Sequence, residues 1–170
     1  MARLIITADI HGFYSAWQKI VNVLNSDDSL VVAGDFFDTR YGKHSEPDYL
    51  PEIIRKEFTH LNIPKYYVYG NCDQPAFFPG YDFWETFLFQ GKKILLTHGH
   101  YHLPENNGYD IRIQGHTHAG LIQQKSDGIF INPGSISLPR DNFKSYAVIE
   151  GHHIRLVDID KGVLEEHGFS

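Results

Sequence analysis

A single cysteine, Cys72, is present in the whole chain. No internal disulfide can form, and a reducing compartment is the natural expectation. Long apolar runs are missing as well, since none approaches the roughly 20 residues that a membrane helix requires. Met1-Ala2-Arg3 leads straight into a brief apolar stretch that meets Asp9, without the length or cleavage pattern of a secretory signal. Positive charge is scarce: 15 Lys and Arg face 21 Asp and Glu, a formal charge of −6. That balance argues against a broad grip on DNA or RNA, which needs a cationic footprint. These absences leave a cytoplasmic enzyme or adaptor as the expectation. The rest of the composition, 42% hydrophobic and 21% charged over 170 residues, is that of one globular domain spanning residues 1–170.

Histidine is abundant, with eleven in the chain. His98, His100 and His102 form one group, and His116 and His118 another. Neither is an uninterrupted terminal run, so neither reads as a purification tag.

Short runs rich in branched apolar residues occupy 4–8, 30–33, 66–69, 94–96 and 111–113. Each is bounded by Gly, Pro, Asp or a similar breaker, which favours strands over helices. The runs end in turn at Asp9, Gly34-Asp35, Gly70-Asn71, Thr97-His98 and Gly115-His116. Loops beyond the carboxyl ends of strands are where open α/β sheets carry their chemistry. Residues 13–25 present Ala16, Trp17, Ile20, Val21 and Leu24 on one helical face, and residues 47–61 present Leu50, Ile53, Ile54, Phe58 and Leu61. Asp48 is the expected cap of the second helix. Alternating strand and helix predicts a parallel layer. Beyond residue 89 the pattern turns to strands at 92–96, 111–113, 121–125, 129–131, 145–150 and 152–158. Asp127-Gly128 and Glu150-Gly151 are the expected hairpin turns. A second sheet packed on the first accommodates this half, and residues 158–170 read as a frayed end.

Taking one ligand per strand end or following turn collects Asp9, His11, Asp35, Asn71, His98, His116 and His118. Imidazole, carboxylate and amide oxygen together suit Mn, Fe, Zn, Co or Ni. They suit Ca and Mg poorly, and the thiolates of a structural zinc site are lacking. Any one of these short motifs alone is ordinary turn chemistry. Five in order at strand ends are hard to produce by chance.

Asp9-x-His11, Gly34-Asp35, Gly70-Asn71, His98-Gly99-His100 and Gly115-His116-x-His118 resemble the five blocks of the calcineurin-like metallophosphoesterases. Asn132-Pro133-Gly134-Ser135 with Pro139-Arg140 is similar to the small prokaryotic phosphodiesterase branch of that family. The resemblance implies a four-layer α/β/β/α sandwich, two mixed sheets flanked by helices. It implies two divalent metal ions, manganese the leading candidate, with Asp9, His11 and His118 on one and Asn71, His98 and His116 on the other. Asp35 bridges them in that reading. His100 matches a histidine that touches phosphate rather than metal, and it joins Asn71 and Asp73 among the expected catalytic residues. Asp73 is expected to orient His100 or a loop.

Two dications outweigh the carboxylates of Asp9 and Asp35, so the implied centre attracts a phosphoryl anion. Metal binding lowers the pKa of water from near 16 to about 7, which implies attack by a metal-bridging hydroxide without a covalent intermediate. The sequence departs from the family at Cys72, where many relatives carry a histidine thought to protonate the leaving group. A thiol there favours good leaving groups such as aryl diesters, and the residue reads as a small buried filler rather than a nucleophile. The segment 101–110 is shorter than the helical insert of many relatives, which would open one side of the site, and residues 104–108 read as loop. Phe77, Phe78, Tyr81, Phe83 and Trp84 either cap the core or stack on an aromatic group. Arg140 reads as an ion-pair partner before a phosphate ligand. His44, His60, His152, His153 and His167 carry no motif and read as solvated.

The expected function is hydrolysis of small organic phosphodiesters, with a small-molecule phosphoester as partner, no membrane, and homo-oligomerisation left open. A phosphomonoesterase or phosphoprotein phosphatase is the first alternative. The second is a protein-interaction module like the retromer scaffold subunit of similar fold, whose degraded metal site predicts gaps among the ligands. No gap is present.

Overall fold

The computed structural model describes residues 2–103 and 108–169. Residues 104–107 of the expected 104–108 loop lie outside the described residues. Among those described, two helices and eleven strands alternate as β1 (Arg3–Thr7), α1 (Tyr14–Val23), β2 (Ser29–Val32), α2 (Pro51–His60) and β3 (Lys65–Tyr67), then strands alone. The strands are β4 (Trp84–Phe89), β5 (Lys92–Thr97), β6 (Ile111–Gln114), β7 (Gly120–Lys125), β8 (Gly128–Pro133), β9 (Ser145–Glu150), β10 (His153–Asp158) and β11 (Gly162–Gly168). One sheet runs β11-β10-β9-β1-β2-β3 and the other β4-β5-β6-β8-β7. Both are mixed: β1, β2 and β3 are parallel in the first, and β5, β6 and β8 in the second.

Strand periodicity explains the layering. Leu4 and Ile6 point into the core between the sheets, with Val31, Ile94, Leu96, Ile113, Ile131 and Ile149. Ile5, one residue out of phase, joins Leu30, Val32, Tyr67 and Val148 in a second core on the opposite face, and there Trp17, Ile20, Ile54 and Phe58 of the helices pack. Burial on both faces is why β1 and β2 read as unbroken apolar runs. The expected two mixed sheets flanked by helices are therefore found. The helices are unevenly placed: both cover the outer face of the first sheet, and among the described residues none covers the second.

Several local expectations need correction. The second helix begins at Pro51 rather than residue 47, with proline in its first turn where its missing N–H costs nothing. Asp48 caps the other helix. Its carboxylate accepts the Ser15 N–H at 3.0 Å and the Ser15 hydroxyl at 2.6 Å, at the start of α1. Both hairpin turns are displaced by one residue. Lys125 pairs with Gly128 and Glu150 with His153, so Ser126-Asp127 and Gly151-His152 form the connections. The end of the chain is not frayed: β11 pairs antiparallel with β10, and Glu166 takes Arg155 and His153 at 2.9 Å each. That strand escaped the sequence reading because it is an exposed edge, Val163 being 58% exposed, on which Leu164 alone packs against the core and cross-strand ion pairs supply much of the side-chain contact. Phe77, Phe78 and Tyr81 pack against the helix-side core, the core-capping role of the two expected.

Candidate metal centre

The parallel strands of both sheets deliver their following loops to one end of the sandwich. Each loop turns sharply on leaving its strand. Asp9, His11, Asp35, His116 and His118 all have positive φ, between 48° and 74°. Left-handed backbone at so many non-glycine residues is uncommon, and strain of this kind gathers at functional sites. Close approach needs glycine nearby. A Cβ on Gly70 would lie 2.0 Å from Asp35 Oδ1, and one on Gly34 would lie 2.5 Å from the His98 ring.

The seven expected ligands come together. His118 Nε2 is 3.4 Å from Asp9 Oδ1 and 3.3 Å from His11 Nε2. His98 Nε2 is 3.2 Å from Asn71 Oδ1, 3.2 Å from Asp35 Oδ2 and 3.3 Å from His116 Nδ1. Asp35 Oδ2 also lies 3.8 Å from His11 Nε2, so this oxygen stands between two clusters. Three-residue groupings able to hold a cation fall as Asp9, His11 and His118, and as Asp35, His98 and His116. A third, His11 with Asp38 and Cys72, shares His11 with the first.

Hydrogen bonds behind the histidines fix which nitrogen faces inward. His11 Nδ1 meets Asp38 Oδ2 at 3.0 Å, His98 Nδ1 meets the Ala33 carbonyl at 2.7 Å, and His118 Nδ1 meets the Leu138 carbonyl at 2.8 Å. Each of these acceptors draws the ring proton to Nδ1 and leaves the Nε2 lone pair aimed at the centre. Asp9 Oδ2 accepts the His116 N–H at 3.0 Å, while Asp9 Oδ1 is buried and has no hydrogen-bond partner. A buried anionic oxygen left without a donor among inward-facing imidazole lone pairs is a cradle for a cation. The residues present therefore fit a divalent metal.

The charges agree. Burial pushes Asp9 up to about 7, with Asp35 adding to the rise while His98 and His11 oppose it. Burial would also raise Asp35, yet the hydrogen bond and charge of His98, the Cys72 N–H and His11 hold it well below the usual carboxylate range. His98 moves the other way: burial lowers it, but Asp35 and Asp9 carry it up to about 9. Asp35 and Asp9 thus favour positive charge beside them, at His98. His100, His116 and His118 are pushed down, first by burial, which favours neutral imidazole.

Around this centre the other expected residues sort differently. The ring of His100 stands 5.3 Å from that of His98 and 6.4 Å from that of His116, beside the cluster. Asp73 is buried behind it. Its carboxylate accepts the Phe36, Phe37 and Gly70 N–H groups and the Tyr67 hydroxyl at 2.9–3.1 Å, so of the two roles foreseen it takes that of loop organiser. It makes no hydrogen bond with His100. Burial, then the charge of Asp35, pushes the Cys72 thiol far up, in keeping with a filler and not a nucleophile. Arg140 is exposed and forms no ion pair among the described residues, contrary to expectation, while its N–H donates to the His118 carbonyl at 3.0 Å. Sequence reasoning missed Asp38, which orients His11, and Ser137, and it named Ser135 only within a family-like motif without its role; the Ser135 and Ser137 hydroxyls donate to the Asp9 carbonyl at 2.7 and 2.8 Å. Asp38 followed the Gly34-Asp35 block closely enough to be noticed. The two serines lie more than 120 residues from Asp9, and no local pattern links them.

A double-sheet sandwich that gathers imidazoles and carboxylates at its strand ends defines the class: a metal-dependent hydrolase. The description of the Calcineurin-like phosphoesterase superfamily domain matches residues 2–153, and the chain belongs to that family. It is accordingly a metal-dependent phosphoric ester hydrolase, in a family that uses divalent metals. It is 27% identical to the phosphodiesterase YfcE of Escherichia coli strain K12, covering 94% of each chain. The solved structure of the E. coli YfcE phosphoesterase superimposes with a TM-score of 0.82 at 26% identity, over 99% of this chain and 100% of that one. The probable metallophosphoesterase YsnB of Bacillus subtilis strain 168 is 37% identical over 86% of this chain and 83% of the relative. A zinc-complexed Vps29 from Entamoeba histolytica shares the fold, with a TM-score of 0.68 at 19% identity over 99% of each chain. No helix among the described residues is long and apolar enough to cross a membrane.

Proposed function

We propose that the chain is a phosphodiesterase that hydrolyses small organic phosphodiesters at a centre of two divalent cations, manganese the leading candidate. The observation that carries this reading is the position of Asp35 Oδ2, 3.2 Å from His98 Nε2 and 3.8 Å from His11 Nε2. In that position one carboxylate serves both clusters. Asp9, His11 and His118 would hold one cation, Asn71, His98 and His116 the other, and Asp35 both. Bound cations would supply Lewis-acid charge to the phosphoryl oxygens and a hydroxide nucleophile at neutral pH. The residues themselves bind and orient. Asp38 and the Ala33 and Leu138 carbonyls keep three imidazoles in the ligating tautomer, and Asp73 keeps the loop from Phe36 to Asp38 in register. His100, held neutral by burial beside His98, offers a hydrogen bond to a phosphate oxygen. The names of YfcE and YsnB, a phosphodiesterase and a probable metallophosphoesterase, agree with this assignment. The complete ligand set weighs against a scaffold-only role. The same reading has residues 1–170 working as one domain in the cytoplasm, as monomer or homo-oligomer, on small phosphoesters and not nucleic acid.

Initial rates on an aryl phosphodiester and on the corresponding monoester, with manganese added, test the substrate class. The diester is expected to react at least about tenfold faster, a barrier difference near 1.4 kcal/mol. A faster monoester would make the chain a phosphomonoesterase instead.

A further inference from the structure

Beside the cluster stands a pair of stacked rings that the site as described does not use. Phe83 and Tyr101 lie with centroids 5.0 Å apart and planes 10° from parallel. Phe83 is anchored from behind by Tyr69, edge-on at 5.5 Å, and belongs to the fringe of the helix-side core. Tyr101 is the outer plate. It is 51% exposed, and among the described residues only Phe83 and His100 set rings against it. Its hydroxyl has no hydrogen-bond partner among the described residues. His100 connects the stack to the centre, its ring 5.9 Å from Phe83, 6.3 Å from Tyr101 and 5.3 Å from His98.

An exposed tyrosine held flat by a half-buried neighbour that is itself packed against the core is a preorganised π surface, and stacking on such a plate requires little further ordering of the protein. It stands one ring away from the imidazoles that surround the phosphorus in the reading above. We propose that Phe83 and Tyr101 form a substrate subsite that stacks on a flat aromatic group of the phosphodiester, Tyr101 making the contact. The inference rests on the phosphodiesterase reading and deepens it by naming the substrate class as diesters bearing an aryl or nucleobase ring.

Calorimetric titration of the manganese-loaded protein with phenylphosphonate and with methylphosphonate tests this without turnover. The wild type is expected to bind phenylphosphonate about tenfold or more tightly than methylphosphonate. Tyr101→Ala should abolish that preference while leaving methylphosphonate affinity and metal content unchanged, and Tyr101→Phe should keep it. An adenosine phosphonate beside phenylphosphonate separates a nucleobase from a simple aryl ring. If Tyr101→Ala weakens both phosphonates alike, or leaves their ratio intact, the subsite is refuted while the phosphoester site stands. If the wild type binds neither, the subsite is refuted, and the phosphodiesterase reading is decided separately by the rates on the aryl diester and its monoester.

Discussion

Replacing Asp35 with asparagine is expected to remove nearly all turnover, roughly a 10³-fold loss or more, together with at least one bound ion. The substitution changes one oxygen to an amide and leaves the shape intact. Asp35 Oδ1 accepts the Cys72 N–H at 2.7 Å, and an amide oxygen can do the same, so the loop keeps its anchor. What is lost is Oδ2, the oxygen between His11 and His98, and with it the negative charge that raises His98. An amide nitrogen turned toward two cations repels both. Rates and elemental analysis on the same preparations check this, with circular dichroism expected to match the wild type. Normal activity in this variant would overturn the bridging assignment.

Gly70→Ala is expected to have the second-largest effect, although residue 70 carries no functional group. An added Cβ would meet Asp35 Oδ1 at 2.0 Å and the Asp35 main-chain nitrogen at 2.2 Å. The second contact is with backbone, so rotating a side chain cannot relieve it. The Gly70 N–H also donates to Asp73 Oδ2 at 3.0 Å, which ties the position to the carboxylate organising the loop. Relief requires moving the Asp35 loop away from β3. Overpacking of this kind costs about 2–3 kcal/mol, and urea denaturation should register a loss of that size. Activity should fall nearly as far as in Asp35→Asn. A variant within about 0.5 kcal/mol of wild type and fully active would show that the strands are not held this close.

The features legible in the sequence are those with local causes. Leu4, Ile5 and Ile6 read as strand because both faces of β1 are buried, and Trp17 and Ile20 read as helix because only one face of α1 is. The ligands were legible because each lies within four residues of a strand's carboxyl end, so order along the chain became proximity in space. Asp48 misled because a capping side chain need not cap the helix it precedes in sequence; its partner Ser15 lies 33 residues away. The strand at Gly162–Gly168 had no apolar alternation to betray it, only Leu164 against the core and Glu166 paired with Arg155 and His153. Ser135, Ser137 and Asp73 support the site through main-chain atoms of distant segments, and hydroxyls or carboxylates with such partners carry no periodic signal.

The central claim is that one carboxylate joins two cation sites. Anomalous scattering from crystals soaked in manganese tests it most directly. The account predicts two peaks, one among Asp9, His11 and His118 and one among Asn71, His98 and His116, with Asp35 in contact with both. A lone peak, or manganese bound only away from these side chains, would contradict it.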